Sequence, residues 1–225
     1  MHLFLLEAAL KVYLEKNIKP LAGKPLLQYS IDTALASDLI EQVFVSTDDQ
    51  AIAQVAIEGG AILIERPAEL ATDQSPEWLS WRHAVEWATE HYGSFDGFVS
   101  LPATSPLRSQ EDVEAAILKR QAETADICIA VTPASRSPYF NMVKYNEAGF
   151  VELVNQPEGE VSRRQDAPKV FDITTVVYAT TPEFVLNSYG LFSGKVASIE
   201  VPKARAVDID DIYDFRLAEA IIKGE

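Results

Sequence analysis

The chain has 225 residues, of which 48% are hydrophobic and 24% are charged, with a formal net charge of −15 and a single cysteine. This composition is that of an ordinary globular domain. The acidic balance argues against a broad nucleic-acid surface, and no apolar run approaches the roughly 20 residues that span a bilayer. Because one cysteine excludes an internal disulfide and suits a reducing compartment, we expect a cytoplasmic protein. From the length we expect one domain over residues 1–225, and from the charge and hydropathy we expect no nucleic-acid or membrane partner.

Short apolar strands and amphipathic helices alternate along residues 26–131. The predicted helices are 26–36, 50–58, 77–91 and 111–123, and the predicted strands are 42–47, 61–64, 98–101 and 127–131. Strands joined by helices of this length indicate parallel βαβ units, so we predict an α/β fold, a three-layer α/β/α sandwich with a mostly parallel sheet. Ligands of such sheets bind beyond the carboxyl ends of the strands.

Residues 132–170 interrupt this rhythm. They are rich in proline, asparagine and charge, and two candidate strands, 140–145 and 150–154, flank a turn at 146–149. The pattern predicts a small inserted hairpin lobe that acts either as a lid or as an oligomer contact. Beyond it we predict strands at 176–178 and 196–201 and a terminal helix at 212–223.

A basic stretch at residues 16–26 precedes the first predicted helix. Lys16, Lys19 and Lys24 alternate with Pro20 and Pro25 inside a chain that is strongly acidic overall. A cationic turn stiffened by proline is suited to hold an anion. The alternative is an ordinary basic surface turn.

The segment Asp208-Ile209-Asp210-Asp211 is the sharpest chemical feature of the sequence. Alternation along an extended chain puts Asp208 and Asp210 on the same side. Two carboxylates that face one way repel unless a cation such as Mg²⁺ bridges them. The alternative is an N-cap cluster for the helix that follows, and both hold if Asp211 caps while Asp208 and Asp210 bind the metal.

Two further segments carry groups that suit a polar ligand. The guanidinium groups of Arg163 and Arg164 are natural partners of a carboxylate or phosphate, unless they form a solvated pair beside Asp166. Thr104 and Ser105 present hydroxyls after a predicted strand, although an ordinary turn before a helix has the same composition.

Together these segments resemble the CMP-sialic acid synthetases, also called acylneuraminate cytidylyltransferases. The matching segments, in chain order, are Lys16-Asn17-Ile18, Gly23-Lys24-Pro25-Leu26, Val45-Ser46-Thr47-Asp48, Glu65-Arg66-Pro67, Thr104-Ser105-Pro106-Leu107-Arg108, Arg163-Arg164-Gln165, Tyr178 and Asp208-Ile209-Asp210. The resemblance implies a single nucleotidyltransferase domain that transfers CMP from CTP to a nine-carbon 2-keto sugar acid and releases pyrophosphate. It also implies a homodimer.

The same resemblance implies roles for individual residues. Lys16, Asp208 and Asp210 would be catalytic, and the two aspartates would hold Mg²⁺. The nucleotide would be bound by Lys16, Asn17, Arg66 and Ser75. The sugar acid would be bound by Thr104, Ser105, Arg164, Tyr178 and Phe192. Two alternatives remain: a non-catalytic nucleotide or sugar-acid binding protein on the same fold, and a cytidylyltransferase for the eight-carbon acid Kdo.

The front of the chain departs from the family. Members open with a loop reading Pro-Ala-Arg-Gly-Gly-Ser-Lys-Gly, whose glycines let backbone N–H groups surround the triphosphate, whereas residues 5–13 contain no glycine and place Glu7 at the arginine. We therefore expect impaired activity. Codons permitted for residues 3–13 read in a shifted frame as Ile-Pro-Ala-Arg-Gly-Gly-Ser-Lys-Gly-Leu, which suggests a compensated frameshift. Smaller departures are Leu101-Pro102-Ala103, where a glutamine is common, and Asp172-Ile173-Thr174-Thr175, where many members carry an Asn-Gly pair.

Overall fold

A computed structural model describes residues 2–7, 16–72, 74–156 and 163–224, with residues 2–7 described by their backbone alone. The strands within these ranges are β1 (His2–Glu7), β2 (Pro20–Leu21), β3 (Lys24–Pro25), β4 (Gln42–Thr47), β5 (Ile62–Glu65), β6 (Gly97–Ser100), β7 (Ile127–Pro133), β8 (Val143–Tyr145), β9 (Val151–Leu153), β10 (Phe171–Thr180) and β11 (Val196–Glu200). The α-helices are α1 (Leu26–Ala36), α2 (Gln50–Glu58), α3 (Glu77–Tyr92), α4 (Gln110–Ala122), α5 (Pro182–Asn187) and α6 (Ile212–Lys223).

Seven of the strands form one sheet in the order β11-β7-β10-β6-β1-β4-β5. Neighbouring strands pair in parallel, except that β10 runs antiparallel to both β6 and β7. The start of β10 therefore lies beside the carboxyl ends of the other strands. The remaining pairs, β2 with β3 and β8 with β9, are small antiparallel hairpins.

Helices cover both faces of this sheet, which confirms the three-layer prediction. Side chains alternate along β4 because successive residues of a strand point to opposite faces. Val45 packs in a cluster with Leu27 of α1 and Ile117 of α4, whereas Phe44 packs in a separate cluster with Trp81 of α3. Each face of the sheet thus has its own apolar core.

Side-chain caps define where three helices begin. Asp49 accepts hydrogen bonds from two backbone N–H groups at the start of α2. Ser109 and Asp112 form a reciprocal capping box at α4, and Asp211 forms one with Asp214 at α6. Such caps satisfy N–H groups that a helix leaves without partners. Within the described ranges, none of the helices combines the length and hydrophobicity needed to cross a membrane.

The sequence prediction was wrong about part of the C-terminal half. The predicted strand 176–178 is only the later portion of β10, which begins at Phe171, and α5 was not predicted. The first half of β10 was missed because its side chains, from Phe171 to Ile173, are exposed and lack the apolar continuity of a central strand. The inserted hairpin is present as β8 and β9, while residues 157–162 of that lobe lie outside the described part of the chain.

Candidate active site

The basic stretch is tied to the start of α1. The backbone carbonyl of Asn17 accepts a hydrogen bond from the N–H of Leu27 at 2.7 Å, and Asn17 is 6% exposed. A hairpin between β2 and β3 turns at Ala22 and Gly23, both with positive φ, which suits a tight two-residue turn. Lys16 therefore sits at a fixed position beyond the carboxyl edge of the sheet.

Arg66 follows β5 at the same edge and is 5% exposed. Its Nε donates to the hydroxyl of Ser46 at 3.1 Å, and its Nη2 donates to the backbone carbonyl of Ser46 at 2.8 Å. Burial, reinforced by Arg66, lowers the pKa of His83. Ser75 lies on the loop after Arg66, and its buried Oγ has no hydrogen-bond partner among the described residues. Arg66 and Ser75 thus lie at the edge where ligands of parallel sheets bind.

Arg108 holds the turn that contains Thr104 and Ser105. Its guanidinium is buried and donates to the hydroxyl of Ser30 and to the carbonyls of Pro102 and Thr175. Burial lowers the pKa of Arg108 to about 9, and the field of Asp208 opposes that shift, so the side chain stays charged at neutral pH. Ser105 is fully buried, and its hydroxyl shares a hydrogen bond of 2.6 Å with Thr175.

The predicted metal segment lies against this turn. The N–H of Ile209 donates to the carbonyl of Thr104 at 2.8 Å, and the side chain of Ile209 is 1% exposed. Asp208 and Asp210 flank this inward-facing residue, in agreement with the predicted alternation. Asp208 is half-buried, and its Oδ1 has no hydrogen-bond partner within the described ranges. Asp210 is exposed, with its Oδ1 3.9 Å from the Nζ of Lys16.

The alternative interpretation of this segment also holds. Asp211 Oδ1 accepts from the N–H groups of Tyr213 at 2.7 Å and Asp214 at 3.1 Å, so Asp211 caps α6. That leaves Asp208 and Asp210 as the carboxylates outside the cap. The pKa of Asp210 is raised above its usual value, first by the partial desolvation of its carboxylate and next by repulsion from the neighbouring Asp208.

Two cavities meet at the Asp208–Asp210 segment. One has a volume of about 730 Å³ and is lined by Lys16, Lys19, Asp210 and Phe215, among others, with the Nζ of Lys19 lying 4.3 Å from the ring centre of Phe215. The other has a volume of about 310 Å³ and includes Asp208 in its lining. The structure therefore brings Lys16 close to Asp210, whereas Asp208 lines the other cavity and Arg66 is in the lining of neither. The catalytic and metal-binding roles of these residues stay a prediction.

The residues predicted to contact a sugar are dispersed. Arg164 is exposed, and its Nη2 donates to the carbonyl of Ala134 at 2.9 Å. Ala134 directly follows β7, at the carboxyl edge of the sheet. Tyr178 is 7% exposed and packs on Trp81 with ring centres 5.5 Å apart, and burial raises the pKa of Tyr178 well above its usual value. Phe192 lies between α5 and β11, at the opposite edge of the sheet, and is 70% exposed.

Comparison with known proteins identifies the family of this chain. A family model described as Cytidylyltransferase matches residues 14–181. The chain belongs to the cytidylyltransferase family. As a member of this family it is a nucleotidyltransferase, which confirms the family and enzyme class that the ordered motifs indicated.

Three relatives show which cytidylyltransferases the chain is similar to. It is 31% identical over 209 residues to the CMP-N,N'-diacetyllegionaminic acid synthase of Campylobacter jejuni and 30% identical over 210 residues to the post-translational flagellin modification protein B of Campylobacter coli. Both matches cover 92% of this chain and 88% of the relative. It is 29% identical over 209 residues to the N-acylneuraminate cytidylyltransferase of Escherichia coli, covering 92% of this chain and 48% of that protein.

Solved structures support the same fold. A CMP:2-keto-3-deoxy-manno-octonic acid synthetase complexed with CTP has a TM-score of 0.70 at 15% identity, covering 99% of this chain and 98% of its own. A 4-diphosphocytidyl-2C-methyl-D-erythritol synthase of Anaerococcus prevotii has a TM-score of 0.69 at 12% identity, with the same coverage. At these identities the likeness is one of fold.

The donor set of this cytidylyltransferase is compatible with a divalent metal. Among the described residues, no group of three or more His, Cys, Asp or Glu side chains converges on one point. Mg²⁺ needs no such cage, since one or two carboxylates suffice when phosphates and water complete its octahedron. The buried, unpartnered Oδ1 of Asp208 and the exposed carboxylate of Asp210 meet that requirement.

Several residues that shape the site had no signal in the sequence. Arg205 forms a two-bond ion pair with Asp112, 93 positions earlier, which fastens the segment leading to Asp208 onto the start of α4. Lys203 and Thr132 line the smaller cavity with Asp208. Only long-range pairing brings these groups together, so spacing could not reveal them. Residues 8–15, which include most of the segment that lacks the family's glycines, lie outside the described residues.

Proposed function

We propose that this cytidylyltransferase transfers CMP from CTP to the anomeric hydroxyl of a nine-carbon 2-keto sugar acid. The hydroxyl oxygen forms a bond to the α-phosphorus and gives up its proton to water, the bond from that phosphorus to the bridging oxygen breaks, and pyrophosphate leaves. The observation that carries the proposal is the approach of Lys16 to Asp210 at 3.9 Å, with Asp208 two positions away on the same segment and lining the adjoining cavity. Relatives named for legionaminic, pseudaminic and neuraminic acids supply the substrate class.

In this proposal the cations of the chain offset the charge of the triphosphate. Lys16 faces the larger cavity, and Arg66 and Asn17 are held rigidly at the same edge. We propose that these residues, with Ser75, bind the nucleotide, because preorganised donors stabilise charge that develops in the transition state. Asp208 and Asp210 would hold Mg²⁺, which supplies charge neutralisation at the phosphates. Thr104, Ser105 and Arg164 would border the sugar acid.

We also propose a homodimer that uses the inserted hairpin. Apolar side chains stand exposed along β8, β9 and the start of β10, and a patch of this kind commonly marks a protein interface. These side chains are Val143, Tyr145, Phe150, Val151, Phe171 and Ile173. Burial of the patch against a second copy would remove it from water.

The first test is release of pyrophosphate. The chain should be assayed with CTP, Mg²⁺ and a panel of N-acetylneuraminic, N,N'-diacetyllegionaminic, pseudaminic and Kdo acids. It should be run beside a variant with Ile-Pro-Ala-Arg-Gly-Gly-Ser-Lys-Gly-Leu in place of residues 4–13. We expect turnover of a nine-carbon acid, faster in the loop-restored variant. Binding without turnover in both chains would instead favour a non-catalytic binding protein, the alternative that the glycine-free segment suggests. Turnover of Kdo alone would favour a Kdo cytidylyltransferase.

A further inference from the structure

The smaller cavity is a cleft at the carboxyl edge of the sheet, with a volume of about 310 Å³. It lies between the end of β7, the start of β10 and the chain segment that leads from Lys203 to Asp208. Its volume is at the lower end of the range for small-molecule pockets, which suits one sugar ring better than a nucleoside triphosphate. The neighbouring cavity around Lys16 is more than twice as large.

A buried hydroxyl in this cleft lacks a partner. Thr132 is 8% exposed, and its Oγ1 makes no hydrogen bond to any residue that the structure describes. The Oδ1 of Asp208, in the same lining, is in the same condition. Because buried polar atoms are nearly always hydrogen-bonded, the hydroxyl of Thr132 calls for a ligand that offers a donor or an acceptor, while Asp208 Oδ1 is left for the proposed metal.

The charges around the cleft indicate which ligand this is. Three carboxylates line it, and two of them already accept backbone hydrogen bonds: Asp172 from Ser135 at 3.3 Å, and Asp214 from Asp210 and Asp211 at 3.0 Å each. This acidic lining disfavours a triphosphate, which carries several negative charges, whereas its carboxylates can accept hydrogen bonds from the hydroxyls of a ligand that carries a single negative charge. Lys203 is the single cation among the described lining residues, and its Nζ donates to the hydroxyl of Ser135 at 2.9 Å.

We propose that this cleft binds the sugar acid, with Lys203 pairing with its carboxylate and Thr132 hydrogen-bonding one of its hydroxyls. The inference rests on the proposed function and adds residues that the family resemblance did not supply. Lys203 lies five positions before Asp208 on one segment, which Arg205 fastens to Asp112. A sugar acid anchored at Lys203 is therefore held beside Asp208, next to the cavity proposed for the nucleotide.

The test is direct binding, which does not depend on turnover. Titration calorimetry with the four acids of the panel, in the presence of Mg²⁺ and the α,β-methylene analogue of CTP, which cannot release pyrophosphate, would compare the full chain and the loop-restored variant with Thr132→Val and Lys203→Met versions of each. We expect the dissociation constant of the preferred acid to rise about fivefold in Thr132→Val and about tenfold or more in Lys203→Met. Thr132→Ser and Lys203→Arg should retain most of the affinity. Lys119→Met, which removes an exposed ion pair on α4, is the matched control.

A methyl ester of the same acid separates a charge contact from a structural effect. We expect Lys203→Met and the unaltered chain to bind the ester with equal affinity, because the ester has no carboxylate with which Lys203 could form an ion pair. Circular dichroism melting would verify that each variant is folded. If an acid is bound and turned over but Thr132→Val and Lys203→Met bind it like the unaltered chain, the cleft assignment alone fails. If no acid binds either chain, the proposed function fails with it.

Discussion

The ion pair between Arg205 and Asp112 provides a quantitative test of how the segment before Asp208 is held. Arg205 donates two hydrogen bonds, at 2.8 and 2.9 Å, to a carboxylate whose side chain is 7% exposed. Burial alone would raise the pKa of Asp112, but the hydrogen bonds from Arg205 and Ser109 outweigh it and hold the pKa below its usual value. Arg205→Met would leave this buried carboxylate with only its contacts at the helix cap.

The expected cost follows from the exposure of the two partners. Loss of a partner from a buried charged group costs several kcal/mol, but the side chain of Arg205 is 40% exposed, and water replaces part of what it provides. We expect Arg205→Met to lower the free energy of unfolding by about 1–2 kcal/mol, or about 3–6 °C in Tm. Because the folded-state pKa of Asp112 is depressed, this contribution is present above about pH 4 and is lost as the pH falls below it.

A matched control exists in the same chain. Arg163 makes the same two-bond contact with Asp166, at 2.8 and 3.0 Å, but within one turn and with its side chain 67% exposed. Arg163→Met should change the free energy of unfolding by less than about 0.5 kcal/mol. Urea denaturation of both variants would measure the difference. Equal costs for the two variants would refute the reasoning from burial, and so would an Arg205→Met cost that does not shrink at low pH.

Three further predictions concern stability and assembly. Thr124, at the end of α4, has a φ of 50°, a conformation that glycine adopts more readily than threonine. Thr124→Gly should therefore raise the free energy of unfolding by about 1 kcal/mol in thermal melts. A lower free energy of unfolding would contradict the assigned backbone conformation. Burial lowers the pKa of His83 below that of the unfolded chain, so stability should fall as the pH drops below about 6.5; His83→Gln should weaken that dependence, and an unchanged slope would refute it. Tyr145→Glu and Phe150→Glu should convert a dimer into a monomer in light scattering, whereas dimers that persist would exclude the hairpin as the interface.

Local signals in the sequence were sufficient for elements that carry their own caps or periodicity. The predicted ranges 26–36, 50–58, 42–47 and 212–223 coincide with α1, α2, β4 and α6. Helix α6 begins where local chemistry dictates, at the Asp211 cap, and β4 has an apolar centre at Val43-Phe44-Val45. Ile209, between Asp208 and Asp210, is buried as the predicted alternation requires, and that pattern needs only neighbouring residues. The metal-binding role of the two aspartates stays a prediction.

Features that depend on distant pairing could not be predicted. The insertion of β10 between β6 and β7 is determined by strand partners far away in the chain, and its exposed first half looks like a loop in sequence. Tyr178 was predicted from a motif to face the sugar, yet the strand register buries it beneath Trp81. Lys203 and Thr132 share a cleft only because β11 pairs with β7.

The central claim is that Asp208 and Asp210, the second of which lies 3.9 Å from Lys16, form the site of CMP transfer at the carboxyl edge of the sheet. The most direct measurement is CTP-dependent pyrophosphate release by the loop-restored chain, with and without Asp208→Asn, at saturating sugar acid and a range of Mg²⁺ concentrations. We predict that Asp208→Asn lowers kcat by about 100-fold or more. Release that proceeds at the same rate in Asp208→Asn, or that requires no divalent cation, would contradict the account.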